Sequence, residues 1–291
     1  EGRRFVDFDE KHRGSVYTFA CPLWMIEEGR EKVTSALAAY INSGPLPPEG
    51  LWWDMEYGPR TECFCEHCLQ RFAEESNIVG PLTKEAVIEN HLPQWIDFTC
   101  RMWAKLSAVY QEGFKRAVPT GQMYTYSGYQ TRHARETYCI DWSLMRDGCD
   151  VASAGYGWTP AIIGDTVTAL NGVPLLGGVA YYQPPRNANL KIEYLRLLAA
   201  GCKGVMHYTW QALDGLDYTR IAEAAALVAE NELFFTDGTQ AHDMVEVTPG
   251  GAAMALRHGD RLLVLVSNSS SEEQQYTLSI PAAVGAAAEY Y

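Results

Sequence analysis

Segments patterned as short apolar strands alternate with segments patterned as amphipathic helices along most of this chain, and that alternation limits the fold more than any other feature. Strand patterns occur at Val16–Ala20, Gly50–Tyr57, Gln122–Ser127, Asp150–Tyr156, Pro174–Tyr181 and Gly204–Trp210. Helix patterns lie between and after them, at Arg30–Asn42, Leu69–Glu75, Trp142–Arg146, Ala161–Asn171, Leu190–Ala200 and Tyr218–Phe235. A long helical region also carries Trp95, Phe98, Met102, Leu106, Val109 and Tyr110 at three-and-four spacing, one apolar face that Pro119 and Gly121 bring to an end.

Strands separated by helices of this length pair in parallel through right-handed crossovers. They read as apolar on both sides, as expected when helices cover both faces of the sheet. An open doubly wound sheet and a (β/α)8 barrel both meet these conditions. The α/β class with a (β/α)8 TIM-type barrel is the better fit, because no Gly-rich phosphate loop follows any strand. Polar and aromatic residues also gather at the C-terminal strand ends, where barrel enzymes keep their sites. Only six strand-helix units precede residue 240, whereas a barrel needs eight. The chain opens without a methionine and reads as an N-terminally incomplete fragment. The missing units are therefore expected upstream of Glu1 or from another chain, a second copy of this one included.

From about Ala241 the pattern changes to short strands at Val245–Val247, Ala252–Arg257, Arg261–Ser267 and Gln275–Ile280, with turns and no helix between them. Residues 1–240 thus read as a barrel of catalytic type, and residues 241–291 as a small antiparallel, β-sandwich-like domain cut short at Tyr291.

A net charge of −13 would repel nucleic acid phosphates. There is also no run of about twenty apolar residues to span a membrane. Cys100, Cys139, Cys149 and Cys202 stand apart in apolar contexts and read as buried free thiols, which favours a reducing compartment such as the cytoplasm. A fragment cannot be assigned a compartment from the lack of a leader.

The densest chemistry lies in Gly50–Phe72, GLWWDMEYGPRTECFCEHCLQRF. In a strand, Asp54 and Glu56 project from the same face. Two carboxyls that close do not ionise independently, so one keeps its proton to higher pH, as a general acid must. Cys63, Cys65 and Cys68 follow with C-x-C-x-x-C spacing. Three thiols so close cannot all pair with one another, but a tetrahedral zinc takes them if a fourth ligand arrives. Cys21, at the end of the preceding strand, is the candidate, and His67 is the alternative inside the cluster. Four thiolates leave no open position for water, so such a zinc would be structural.

These residues, in this order, resemble glycoside hydrolase family 42, the β-galactosidase-like barrels. The resemblance rests on a strand ending in Cys21, a strand ending in Glu56, the C-x-C-x-x-C, and the late segment AAGCKGVMHYTW ending at Trp210. It spans roughly residues 16–235 and implies an enzyme that hydrolyses an O-glycosidic bond. It also implies Glu56 as acid/base, Cys21, Cys63, Cys65 and Cys68 as zinc ligands, and Trp210 as a platform for the sugar. Met55 stands where the family has an asparagine. The strand that should supply the nucleophilic glutamate, LLGGVAYYQP from Leu175, carries no carboxylate, so the usual retaining pair about 5 Å apart is not available.

Three alternatives answer that gap. The D-x-E also resembles the family 18 chitinases, which use the substrate's acetamido group. In that comparison Asp54, Glu56, Tyr156 and Trp210 match, and Trp52 replaces the first aspartate of the motif. An inverting site could draw a base from Asp214 or Asp217, and Tyr182 could act as nucleophile. A non-catalytic carbohydrate-binding barrel that keeps the zinc is the runner-up of another class. Aromatic rings stack on sugar faces, and Tyr126, Tyr156, Tyr182 and Trp210, all near strand ends, are the expected substrate-binding residues. His133 and His207 read as structural histidines.

Overall fold

The computed structural model describes residues 4–5, 19–56, 58–60, 62–155, 157–179, 190–208, 210–249, 252–268 and 272–280. The chain divides into two compact units, residues 1–155 with 168–174, and residues 156–167 with 175–291.

The first unit is built on the parallel strands β3 (Gly50–Asp54), β4 (Gln122–Ser127) and β5 (Val151–Ala154), which follow two short segments, β1 (Arg4–Phe5) and β2 (Phe19–Ala20). In the register of β3 against β4, Trp52 lies opposite Tyr124 and Asp54 opposite Tyr126, while Tyr126 lies opposite Ser153 of β5. Helices α1 (Pro22–Ile26), α2 (Arg30–Asn42), α3 (Glu66–Ser76), α4 (Lys84–Asn90) and α5 (Leu92–Ala117) supply most of the cover. Two short helices, α6 (Arg132–Tyr138) and α7 (Trp142–Met145), link β4 to β5.

The apolar stripe of α5 does what its spacing predicts. Trp95, Phe98, Met102, Leu106 and Val109 are all buried. Trp95 is the hub of an aromatic cluster, with ring centroids 4.6 Å from Phe64, 5.1 Å from Phe72 and 5.3 Å from Phe98. Its indole N–H donates to the carbonyl of Pro59 at 2.9 Å, so this polar group is not stranded in the core. Further along α5, Trp103 and Tyr110 pack on Trp53 of β3.

The second unit holds the parallel pair β6 (Leu175–Val179) and β7 (Gly204–His207), with Leu176 opposite Gly204 and Val179 opposite His207. Gly177 lets the strand pack closely there, since a Cβ would come within 2.7 Å of the Leu197 side chain on α9 (Leu190–Ala199), which would have to shift. The helix starting at Pro160, α8 (Pro160–Leu170), precedes β6 in the chain. After β7 come α10 (Gly215–Glu230) and α11 (Glu232–Thr236). The antiparallel part consists of β8 (Thr239–Gln240), β10 (Ala252–His258) and β11 (Arg261–Ser267) in the order β11-β10-β8, and a separate pair, β9 (Glu246–Thr248) with β12 (Thr277–Ser279).

Several expectations change. Five parallel strands are present among the described residues, in chain order from β3 to β7, and their closure into an eight-stranded barrel is not seen. Of the strand expected at Val16–Ala20, only Phe19–Ala20 is described, and it pairs antiparallel with Arg4–Phe5. The helix expected over Tyr218–Phe235 begins at Gly215 and breaks at Asn231, whose side-chain amide donates to Leu227 O at 3.0 Å and competes with continued winding. Helix α6 went unforeseen, its apolar content being too low to set a period. Cys100, Cys139, Cys149 and Cys202 are buried and free, as expected.

Because Trp95 is wholly buried at the centre of its cluster, Trp95→Ala should cost about 3–5 kcal/mol in urea unfolding. A loss below about 1 kcal/mol would mean that α5 is not the floor of this core.

Candidate functional site

Strand β3 sorts its side chains by alternation. Trp53 faces α5, with its ring 6.0 Å from Trp103 and 4.9 Å from Tyr110, and Met55 is wholly buried. Trp52 and Asp54 take the other face, and Glu56 follows just past the strand end. Pairing with β4 continues one residue beyond β3, since Met55 N–H donates to Tyr126 O at 2.8 Å. The hydroxyl of Ser127 then donates to Met55 O at 2.7 Å. These two bonds fix the backbone from which Glu56 projects.

Both carboxyls titrate above their ordinary range. Burial raises that of Asp54. Burial also raises that of Glu56, the negative charge of Asp54 adds to the effect, and a hydrogen bond from the Tyr126 side chain opposes it. This is a pair in which one acid helps the other hold its proton.

The expected metal ligands come together. Cys21, Cys63, Cys65 and Cys68 place their sulfurs within 4.8 Å of one another. The Cys21 and Cys68 sulfurs are 3.4 Å apart, and those of Cys65 and Cys21 are 3.7 Å apart. Tetrahedral thiolates at a Zn–S length of about 2.3 Å would stand roughly 3.8 Å from each other, so the spacing fits such an ion with little adjustment. Cys21 and Cys65 are the residues that lead into α1 and α3, where helix N-termini favour a thiolate. The four thiols do not ionise independently: the neighbouring sulfurs push the Cys65 thiol down and the Cys68 thiol up. His67 is not in the cluster. Its Nε2 lies 3.2 Å from Glu27, which also takes Arg71 at 2.7 Å. The four cysteines can hold a metal ion.

The other expected residues are less concentrated. Tyr126 is 6% exposed and lies on β4 opposite Asp54, so it joins Asp54 and Glu56 in the first unit. Tyr156 and Tyr182 lie outside the described residues. Trp210 belongs to the second unit, starts a single 3-10 turn just after β7 and is 60% exposed. Asp214 and Asp217, weighed as bases, form a reciprocal cap on α10. The Asp214 carboxylate accepts from Leu216 N and Asp217 N, and that of Asp217 accepts from Asp214 N at 3.1 Å. His207 stacks on Tyr194 with ring centroids 5.3 Å apart.

Two residues escaped the sequence reading. Glu62, directly before Cys63, is 3% exposed. Its Oε1 accepts from Trp103 Nε1 at 2.7 Å, while burial pushes its carboxyl up to about 8. A glutamate in a loop sequence gives no sign of burial. Trp52, on the apolar strand β3, is 46% exposed on the face of Asp54. Strict alternation from Asp54 could have found it.

Against known proteins, neither the protein-family models nor the curated proteins give a match. Among solved structures the chain is similar to the β-galactosidase of the Antarctic haloarchaeon Halorubrum lacusprofundi, at 13% identity and TM-score 0.51, over 78% of this chain and 45% of that one. It is also similar to the cold-adapted β-galactosidase of Rahnella sp. R3, at 14% identity and TM-score 0.51, over 75% of this chain and 41% of that one. The likeness is one of fold. The chain spans less than half the length of each structure, and its α/β architecture is that of part of these enzymes.

A carboxyl whose folded pKa exceeds its unfolded value contributes stability below the unfolded value, and loses that contribution as pH rises through the folded value. Asp54 and Glu56 are both of this kind, so at neutral pH each weakens the fold. Asp54→Asn and Glu56→Gln should each raise the melting temperature at pH 7, by about one or two degrees given their partial exposure, with the gain vanishing near pH 4. Lower melting temperatures at pH 7 would show that the ionised carboxylates are structural.

Proposed function

We propose that the chain belongs to a glycoside hydrolase of barrel type, in which Glu56 is the general acid. The observation that carries this reading is the pair at the end of β3. There Glu56 is partly desolvated, sits beside the charge of Asp54, and is held by Tyr126. Glu56 protonates the glycosidic oxygen as the bond to the anomeric carbon breaks, the leaving sugar departs as an alcohol, and water supplies the oxygen that bonds to the anomeric carbon in its place. Burial, and after it the charge of Asp54, favour the protonated form of Glu56 that this role needs. Tyr126, beside the pair, is the substrate-binding residue to test first, with Tyr156, Tyr182 and Trp210 as candidates from the sequence alone, and a β-galactoside is the first substrate to test, given the enzymes whose fold this chain shares in part.

The four-cysteine cluster binds a structural zinc in this reading. Such an ion joins the loop after β3 to α1, and four sulfur ligands leave it no reactive position. Strand β6, Leu175–Val179, carries no carboxylate, and this favours a second reading in which the barrel binds carbohydrate without cleaving it. Inversion and assistance by the substrate are the catalytic routes that need no carboxylate there.

Glu56→Gln keeps the shape of the side chain and removes its proton. Turnover of a glycoside with a poor leaving group should therefore fall by about 100-fold or more. Aryl glycosides with good leaving groups need little protonation and should lose less. If the unmutated protein binds sugars and never cleaves them, the binding reading replaces the catalytic one. In Asp54→Asn the repulsion that raises the Glu56 pKa is gone, so the alkaline limb of the pH profile should move to lower pH.

For the metal, elemental analysis should find about one zinc per chain, and Cys65→Ser should lose both the zinc and thermal stability, since a site of this kind contributes directly to folding. Metal-free protein with an unchanged melting temperature would remove zinc from the account.

A further inference from the structure

The hydroxyl of Tyr126 is placed by the sheet and by the absence of one side chain. Tyr126 of β4 lies opposite Asp54 of β3 on one flank and Ser153 of β5 on the other, so these three residues stand level across the sheet. Its hydroxyl does not stay at that level. A Cβ on Gly155, two residues beyond Ser153, would come within 2.6 Å of it. Two residues are roughly 7 Å of strand rise, so the ring leans along the strands toward their C-terminal ends. Glu56 stands the same two residues beyond Asp54 on the opposite flank. The Tyr126 hydroxyl donates to the Glu56 carboxyl there.

Little freedom is left to that hydroxyl. Gly155 N–H donates to Ser127 O and Met55 N–H to Tyr126 O, each at 2.8 Å, which pins all three strands at this level. The Trp52 ring stacks beside that of Tyr126, 6.1 Å away between centroids. Tyr126 is buried, and a buried phenol needs a partner for its O–H. The hydroxyl has a single proton to donate, and Glu56 takes that bond, which leaves none for a sugar. In acid catalysis Glu56 gives up its proton and becomes a carboxylate. A donor already aimed at the carboxyl stabilises that product with no reorganisation at the moment of transfer. Tyr126 keeps its own proton throughout, because a phenol holds it to about pH 10.

We propose that Tyr126 is a positioning residue for Glu56, and that Gly155 makes the position possible. The hydroxyl, lodged over Gly155, aims the Glu56 carboxyl and stabilises the carboxylate left when the proton passes to the glycosidic oxygen. The inference rests on the reading of Glu56 as the acid of a glycosidase, and it moves Tyr126 from contact with the sugar to action through Glu56.

The test titrates Glu56 by carboxyl-carbon NMR, with Glu56→Gln to assign its signal, a readout that needs no substrate. Tyr126→Phe keeps the ring and removes the hydroxyl, so the Glu56 pKa should rise by about one pH unit. Gly155→Ala keeps the hydroxyl but displaces it, and should shift the Glu56 pKa in the same direction. In the Tyr126→Phe background, Gly155→Ala should do nothing further, because the bond it breaks is already gone. With a β-galactosyl disaccharide as probe, Tyr126→Phe should lower the plateau of kcat about tenfold, keep KM within about twofold, and move the alkaline limb of the pH profile upward. A Glu56 pKa unmoved by Tyr126→Phe would overturn the positioning role and leave the acid role standing. A raised KM with kcat and the pH profile unchanged would do the same, and would return Tyr126 to the sugar. If the unmutated protein cleaves no β-galactosyl, β-glucosyl or N-acetyl-β-glucosaminyl disaccharide while Tyr126→Phe still moves the Glu56 pKa, the hydrogen bond stands, and the acid role falls together with the purpose assigned to that bond.

Discussion

Helix α5 is the surface on which the first unit is assembled, because two of its tryptophans each hold one functional region in place. Trp95 gathers Phe64, Phe72 and Phe98 around the cysteine loop. Trp103 packs on Trp53 of β3 and donates its indole N–H to Glu62, the residue before Cys63. A single rigid helix of 26 residues therefore holds both the strand that ends at Asp54 and the loop that supplies three of the four thiols. Burial of its apolar stripe is the constraint that both regions obey, and loosening that stripe would move both together.

The polar residues of the first unit divide by what they do for stability. Asp150 accepts from Met123 N, Lys115 and Gln111 and knits the base of the sheet to α5. Glu31 and Arg116 make a two-pronged pair on the surface between α2 and α5, of the kind that adds little in water. Asp54 and Glu56 are different. Both sit where their charged forms are penalised, and a fold selected for stability alone would not keep two such groups side by side. Carboxyls held in an unfavourable state at a strand end are a common mark of sites where protons move.

Much of this was legible in the sequence because it depends on local periodicity. The stripe Trp95 to Val109 repeats at helical spacing over several turns, and the interior of α5 follows it. The strands β3 to β7 are short apolar runs bounded by Gly, Pro and polar residues, and each was found within a few residues of its true ends. The C-x-C-x-x-C spacing announced a metal-type cluster, since thiols so close on one loop have few other arrangements. What failed was longer in range or weaker in pattern. Val16–Ala20 looked like a sheet strand, but strand pattern does not name a partner, and Phe19–Ala20 pairs antiparallel with Arg4–Phe5.

The sequence by itself determined the elements and their order, the shared face of Asp54 and Glu56, and the proximity of Cys63, Cys65 and Cys68. All of these follow from two-residue or four-residue repeats and from covalent spacing. Only the tertiary structure decided which distant residues met them. Cys21 joins the thiols because α1 packs on α5 beside the loop. Tyr126 reaches Glu56, and Trp52 stacks near Tyr124 and Tyr126, because the register of β3 against β4 sets Trp52 opposite Tyr124 and Asp54 opposite Tyr126. Glu62 is buried because Trp103 covers and satisfies it. Register and helix docking are settled by the fit of whole surfaces, and that fit is written in no single stretch of the chain.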